Sequence, residues 1–374
     1  MSHPSQTLER LLERAKSSDR ISVIRDLGLR SRIEYICRLR SNRAGTRLLM
    51  ACMLAKIEQP QIDPRKPYTE IGDSDVFSGR TYDERYITHF INVNHLPLNP
   101  TTAFLTPALR NVDRILTPDI ELVGRPRKLY KDTLQVLDDV YAGRVTAEDV
   151  LTEVIRVLLM LKEEQKARLD TLLAGLEQPE ETLPLSSEET VTLIEQHLKC
   201  RNSSRLPVLV VAAAYNSISD KIKENALPLR SHNAADKQTG AFGDVEICLE
   251  DDNSVVTVYE MKMKLVSIDD IDRALEKISQ AEHGIHNYIF ITTDTIDQEV
   301  VEYASQAYEQ TGGTEIAILD CIGFLRHFLH LFHRSRLDFL NQYQKLVLDE
   351  PSSAVNQPLK EAFLALRQAA ETDR

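Results

Sequence analysis

Asp244 and the triplet Glu260-Met261-Lys262 supply two carboxylates and an ammonium group within one short stretch of the C-terminal half. These residue types suit metal-assisted hydrolysis of a phosphodiester. Two carboxylates can hold Mg²⁺ through hard oxygen donors while leaving positions for water and a phosphate oxygen. The cation then acidifies the attacking water and stabilises charge in the transition state. A lysine beside them can orient that water or neutralise developing charge. Lys264 competes with Lys262 for this place, about 6–7 Å further along an extended chain. Glu246 is a candidate third ligand, against the plainer reading of a surface glutamate.

Such residues converge only if the backbone brings them together. Asp244 to Leu249 and Val255 to Lys264 both alternate as strands do, and Glu250-Asp-Asp-Asn-Ser254 between them suits a hairpin turn. Side chains alternate faces along a strand, so Asp244 and Glu246 share a face opposite to Val245, Ile247 and Leu249. Val256, Val258, Glu260, Lys262 and Lys264 likewise share one face of the second strand. If the two charged faces coincide, Asp244, Glu260 and Lys262 meet at one edge of a sheet. The alternative is an exposed strand end whose charges are solvated.

The surrounding pattern predicts a helix over 187–199 capped by Ser186 and Glu189, and an apolar helix from Leu206 to Ile222. A short strand is expected at Leu227 to Arg230. Ser267 and Asp270 cap a helix reaching about 282. A strand at His286 to Thr293, a helix at Gln298 to Gln310, a strand at Thr314 to Leu319 and a long helix from Ile322 to about Val347 complete the order. Strands joined by helices give a mixed sheet with helices on both faces, an α/β fold. Before it, Leu8, Leu11, Leu12 and Ala15 have helical spacing, Arg47 to Ile57 reads as a helix, and Glu58 to Pro126 is rich in proline and turns. Thr146 and Asp149 open a further helix. The expected division is a mainly helical, loop-rich region over 1–175, a linker over 176–186 and an α/β core over 187–374.

Of the 374 residues, 42% are hydrophobic and 27% charged, which excludes a mainly disordered or collagen-like chain. No apolar stretch approaches the roughly 20 residues needed to cross a bilayer, and the first residues show no secretion signal. A cytoplasmic location without membrane attachment is expected. The five cysteines lie far apart with no C-x-x-C pair, so neither a zinc ribbon nor a disulfide framework is supported. A net charge of −12 argues against a polycation that coats nucleic acid, yet leaves room for a local basic surface. His327, His330 and His333 spread over about 120° of a helix and suit a core or interface face better than a zinc site.

Asp244 with Glu260-Met261-Lys262, the hydrophobic run into the glutamate and the αβββαβ order of elements resemble the PD-(D/E)XK nucleases. Gly243 stands where that family usually has proline. The resemblance implies Mg²⁺-dependent phosphodiester hydrolysis, with Asp244 and Glu260 as metal ligands and Lys262 beside the water. Within that superfamily the chain resembles the type II restriction endonucleases, and the SacI group in particular. The segments concerned are Ser231-His-Asn-Ala-Ala-Asp-Lys-Gln-Thr-Gly240, Ser78-Gly-Arg80-Thr-Tyr82-Asp-Glu-Arg85-Tyr86 and 96–111. This finer resemblance covers both halves of the chain. It implies cleavage of double-stranded DNA at a short palindrome, GAGCTC, and a cognate DNA methyltransferase that protects the host. A palindrome is read most simply by a homodimer.

The N-terminal region then takes the role of reading DNA. Arg32, Arg38, Arg40, Arg43 and Arg47 fall close together with Glu34 as the one acid among them, a basic patch suited to phosphates. Arg80, Arg85, Asn92, Asn94, Asn99 and Arg110 are of the types that read guanine and adenine edges. Against this, helical arginines are commonly solvated and loop asparagines commonly cap turns. Arg125-Pro-Arg127-Lys128 is a further phosphate candidate or a plain surface turn. Two other functions compete: a structure-directed repair or junction nuclease on the same core, and a DNA-binding scaffold without catalysis.

Overall fold

A computed structural model describes residues 3–17, 21–98, 102–110, 112–176, 183–229, 241–250, 252–281 and 284–372. The chain divides into two compact units, Met1–Ala167 and Arg168–Arg374. The linker expected at 176–186 includes 177–182, which lie outside the described residues, as does the segment 231–240.

The first unit is helical among the described residues. Its longer helices are Pro4–Ser17, Leu27–Arg38, Ala44–Glu58, Arg127–Tyr141 and most of Ala147–Ala174. Leu8, Leu11, Leu12 and Ala15 are buried, as their spacing predicts. Helix Ala44–Glu58 is the centre of this unit, with every residue from Ala44 to Ala55 buried. A helix apolar on all sides belongs in a core. Between 58 and 126 the chain forms only short pieces, among them Thr69–Ile71, Gly79–Tyr82, Asp83–Ile87, Thr88–Val93 and Ala103–Leu105.

Arg47 lies within that central helix and is not part of a phosphate-binding patch. It is 1% exposed and pairs with Asp83 at 2.7 Å. Its Nη2 also donates to Thr88 Oγ1 at 2.7 Å. Asp83 Oδ2 accepts from Thr102 Oγ1 and from the Ala103 N–H, both at 2.7 Å. A buried charge persists when its partner and its remaining hydrogen bonds are supplied together. The pair joins the central helix to the short elements beside it.

The second unit holds a five-stranded sheet in the order β1-β2-β3-β4-β5: Glu224–Ala226, Val245–Leu249, Asp252–Lys262, Asn287–Thr292 and Glu315–Asp320. β1–β2 and β2–β3 are antiparallel, while β3–β4 and β4–β5 are parallel. Tyr259, Val245, Ile247 and Ile291 pack with helices Ser187–Leu198, Leu206–Asn216, Cys321–Leu331, Arg336–Asp349 and Gln357–Thr372. Val258, Tyr288, Phe290 and Ile316 pack with helices Ile268–Ser279, Gln298–Ser305 and Ala307–Thr311 on the opposite face. This is the expected mixed sheet flanked by helices.

Several element limits differ from the sequence reading. β1 occupies Glu224–Ala226 instead of 227–230, with the Leu227 N–H adding one bond to Glu246 O at 2.8 Å. A three-residue edge strand of Glu, Asn and Ala has no apolar alternation to announce it. The long helix expected over 322–347 is broken by the turn His333–Ser335. There Ser335 is buried against the Lys221 ammonium, and Arg336 Nε reaches Leu185 O at 2.8 Å. Helices 206–222 and 298–310 likewise each form two pieces.

Candidate active site

The β2–β3 register pairs Val245 with Tyr259 and Glu246 with Val258, which sets Asp244 beside Glu260 across the hairpin. The Asp244 N–H donates to Tyr259 O at 2.8 Å, and Asp244 Oδ2 accepts the Met261 N–H at 2.8 Å. Asp244 is exposed and Glu260 half-buried. Gly243 precedes them because nothing larger fits. A Cβ there would lie 2.7 Å from Tyr259 O and 2.5 Å from Val258 Cγ1. The departure from the usual proline thus has a steric cause in this chain.

Glu260 and Lys262 project from the same face of β3 toward helix Ile268–Ser279. Lys262 Nζ lies 2.7 Å from Glu260 Oε1 and 3.0 Å from Asp270 Oδ1. Lys277 Nζ donates to Glu260 Oε2 at 2.9 Å and lies 3.4 Å from the Tyr288 hydroxyl. That hydroxyl also reaches Glu260 Oε2 and stands 3.0 Å from Phe242 O. Asp270 and Lys277 are two turns apart on one helix face, so the helix presents an acid to the strand's lysine and a lysine to its glutamate.

Burial alone would raise the Glu260 carboxyl, but Lys277, Lys262 and Tyr288 hold it below the usual carboxylate range. Burial opposes the charge of Lys262, yet Glu260 and Asp270 raise it above the ordinary lysine value. Asp270 is held far down despite its burial by the Ser267 N–H, Lys262 and Arg273. All three shifts favour the charged forms of Glu260, Lys262 and Asp270.

Lys264 lies beyond the end of β3 and is exposed. Lys262 is therefore the lysine beside Glu260. Glu246 is not a surface glutamate: it is buried, and its Oε1 accepts the Phe242 N–H at 2.7 Å. It fixes the turn that leads into Asp244. Asp270, Lys277 and Tyr288 were absent from the sequence-derived site. Asp270 was visible only as half of a capping box with Ser267, which it does form. The signal for Lys277 was its seven-residue spacing from Asp270.

Among the described residues no group of three or more His, Cys, Asp or Glu is arranged to hold a metal ion. Asp244 and Glu260 offer two carboxylates across the hairpin. Mg²⁺ commonly takes one or two carboxylates and keeps several waters, so this donor set fits it in number and hardness.

The DNA-reading candidates of the first unit have varied surroundings. Arg38 pairs with Glu34 at 2.9 Å and with Glu164 at 2.8 Å. Arg43 is half-buried and donates to Cys37 O, whereas Arg40 is exposed. Arg80 pairs with Glu84 at 2.7 Å. Arg85 is exposed, with its guanidinium carbon 5.5 Å from the centre of the Tyr86 ring. Asn92 and Arg110 are exposed, and Asn94 Nδ2 donates to Phe90 O at 3.0 Å. Asn99 lies outside the described residues. His327 and His330 are exposed, not part of a core face, because Leu325, Phe328 and Leu329 occupy that face of their helix, and His333 is exposed in the turn that follows it. His330 Nε2 lies 2.8 Å from Glu188 Oε1.

Residues 183–293 match the family model of the SacI restriction endonuclease C-terminal domain. No curated protein matches the chain. The matched stretch contains the hairpin, Asp244, Glu260, Lys262, Asp270, Lys277 and Tyr288.

Proposed function

From a chain whose residues 183–293 carry a SacI-like restriction endonuclease domain, we propose a type II, site-specific endodeoxyribonuclease of the PD-(D/E)XK kind. It cleaves double-stranded DNA at a short palindrome, with GAGCTC as the first site to test. The observation that carries this reading is Lys262 Nζ at 2.7 Å from Glu260, on the strand directly paired with the one that Asp244 precedes.

In this reading Asp244 and Glu260 hold Mg²⁺. The cation supplies an acidified water and stabilises charge on the phosphate oxygens. The protein's own contribution is to keep Glu260 ionised through Lys262 and Lys277, and to hold Asp244 through the Met261 N–H. Asp270 gives Lys262 a second anchor besides Glu260, so the ammonium is oriented before substrate arrives. Such preorganised charge needs no rearrangement at the moment of reaction.

The first unit serves as the DNA reader, with Arg40, Arg80, Arg85, Asn92 and Arg110 as its exposed candidates. A homodimer would match the two-fold symmetry of a palindrome. A methyltransferase that protects the same site is the functional partner. No helix among the described residues is long and apolar enough to cross a membrane.

The test is incubation of the purified chain with a long DNA of known sequence, in Mg²⁺ and again in EDTA. Discrete fragments only with Mg²⁺ support the reading, and their ends give the site. A smear points to a nuclease that ignores sequence. Glu260→Ala should abolish cleavage and retain binding. Cleavage that survives this substitution refutes the assignment.

A further inference from the structure

Five arginines fall between positions 32 and 47 in a chain of net charge −12, and the fold commits three of them. Arg32 lies 3.8 Å from Asp139, Arg38 pairs with Glu34 and Glu164, and Arg47 pairs with Asp83. Arg40 is exposed. Arg43 differs from all of these. It is half-buried, and its guanidinium donates to the Cys37 carbonyl and to no carboxylate among the described residues. Burial opposes its charge, and the nearby Arg40 adds to that opposition. A half-buried cation answered only by a carbonyl gains from an anion brought to it.

Arg43 lines a cavity of about 390 Å³ beside the start of helix Ala44–Glu58. That volume falls in the range of ligand sites, about 300–1,000 Å³. Arg125 and the paired Arg47 also line it, and among the described residues no carboxylate does. Arg125 is exposed, and it is its carbonyl that the fold uses. Asn42 ties the two arginine segments together. Its Nδ2 donates to Arg125 O at 3.0 Å and to the Tyr130 hydroxyl at 2.9 Å, while its Oδ1 accepts the Ala44 N–H at 3.0 Å. A Cβ at Gly124 would run into the Tyr130 ring, so the backbone before Arg125 lies directly against that ring. The walls are thus fixed by the protein's own bonds, and the charge they present is positive.

We propose that this cavity holds a phosphate of the DNA backbone, gripped by the Arg43 and Arg125 guanidiniums. The proposal rests on the reading of the first unit as the DNA reader, and names where that unit takes hold. The planar arginine fork matches phosphate geometry. Phosphate contacts fix the register of a protein on the duplex and carry no sequence information. The cavity therefore positions the DNA and leaves base reading to other residues.

The test uses the full chain in Ca²⁺ with two duplexes, one containing GAGCTC and one without it, and affinity measured across a salt series. Arg43→Met and Arg125→Met should each weaken binding to both duplexes and lower the salt slope by about one. Arg43→Lys keeps the charge and should keep the slope. Arg10→Met removes the same charge from helix Pro4–Ser17, where Arg10 pairs with Glu148, and should leave the slope unchanged. Thermal melts establish that each variant is folded. Parental slopes in folded Arg43→Met and Arg125→Met overturn the phosphate site, and so does a slope that falls equally in Arg10→Met. A loss confined to the GAGCTC duplex would make these arginines base readers and overturns it too. Inorganic phosphate, titrated calorimetrically without DNA, tests the other occupant: phosphate binding abolished by Arg43→Met alongside parental DNA slopes makes this a small-anion site and refutes the DNA assignment. If the parent binds neither duplex, the reading of the first unit as a DNA reader fails and the proposal with it; if the parent binds and the slopes stay parental, the site alone fails.

Discussion

Gly243→Ala tests whether the approach of the two hairpin strands sets the site. The added methyl would lie 2.7 Å from Tyr259 O and 2.5 Å from Val258 Cγ1. Ordinary contacts at those atoms begin near 3.4 Å, so one side must retreat by several tenths of an ångström. Val258 has little room to turn, because it is buried on the helix-covered face. Tyr259 O is backbone and accepts the Asp244 N–H at 2.8 Å. The strain therefore falls on the bond that places Asp244. Overpacking of this kind typically destabilises by about 1–3 kcal/mol, and a misplacement approaching 1 Å near reacting groups lowers rate by about 10²-fold. The assay is single-turnover cleavage of a cognate duplex at saturating Mg²⁺, beside a thermal melt. The expected variant is folded, lower in Tm and slower by one to two orders of magnitude, with DNA binding in Ca²⁺ largely kept. Parental cleavage rate together with parental Tm would refute the argument that this contact positions Asp244.

Lys262→Ala should slow cleavage by about 10²–10³-fold, the range for losing one preorganised charge at a reacting centre, whereas Lys264→Ala should leave the rate nearly unchanged; the reverse order in the same assay would exchange their roles. Arg47→Met should destabilise the first unit by about 3–5 kcal/mol, since it strands Asp83 in the core. If urea melts show no loss and the salt slope of DNA binding falls by one instead, Arg47 contacts a phosphate. His197 is buried, bonded through its two ring nitrogens to Tyr343 and Leu359 O, and burial lowers its pKa to about 4. The unfolded chain takes up this proton below its ordinary value of about 6.5 while the folded chain does not, so stability is full above that pH and declines as pH falls toward 4. The loss is on the order of 3 kcal/mol, and His197→Gln should flatten that part of a melting profile measured between pH 7 and 4.

The hairpin that brings Asp244, Glu260 and Lys262 together was legible because its residue types and its periodicity coincide. Val256, Val258, Glu260 and Lys262 had to share a face in any regular strand, and the register with β2 then brings Asp244 alongside. The capping boxes at Ser186 and Ser267 were legible for a similar reason: both partners lie three residues apart and need no tertiary information. Arg47 was misread because charge count outweighed context. Its neighbours Leu48, Leu49, Met50 and Ala51 leave no polar face, and an arginine in such a helix has to be buried and paired. Asp83, its partner, is thirty-six residues away in the turn-rich region, and no local pattern links the two. Glu246 was misread by the opposite error, a charge taken for a surface residue when the Phe242 N–H satisfies it inside. β1 was displaced because pairing, not apolar alternation, creates so short an edge strand.

The residues that complete the site come from the crossover helix, and this follows from topology. A parallel β3–β4 pair requires a connection that returns over one face of the sheet. Here that connection is helix Ile268–Ser279, which lies over the face carrying Glu260 and Lys262. Its apolar side buries Ile271 and Ala274, and the positions flanking that stripe, Asp270 and Lys277, are left facing the strand's charges. A carboxylate and a lysine on β3 at the margin of an apolar layer would be poorly solvated by themselves. The helix answers each with its opposite, and the charged forms of Glu260, Lys262 and Asp270 are favoured together. Asp270 has a further duty, since it accepts the Ser267 N–H that opens the helix. The same carboxylate thus sets where the helix begins and where the Lys262 ammonium points, so the start of the crossover and the orientation of the site's lysine are fixed by one group.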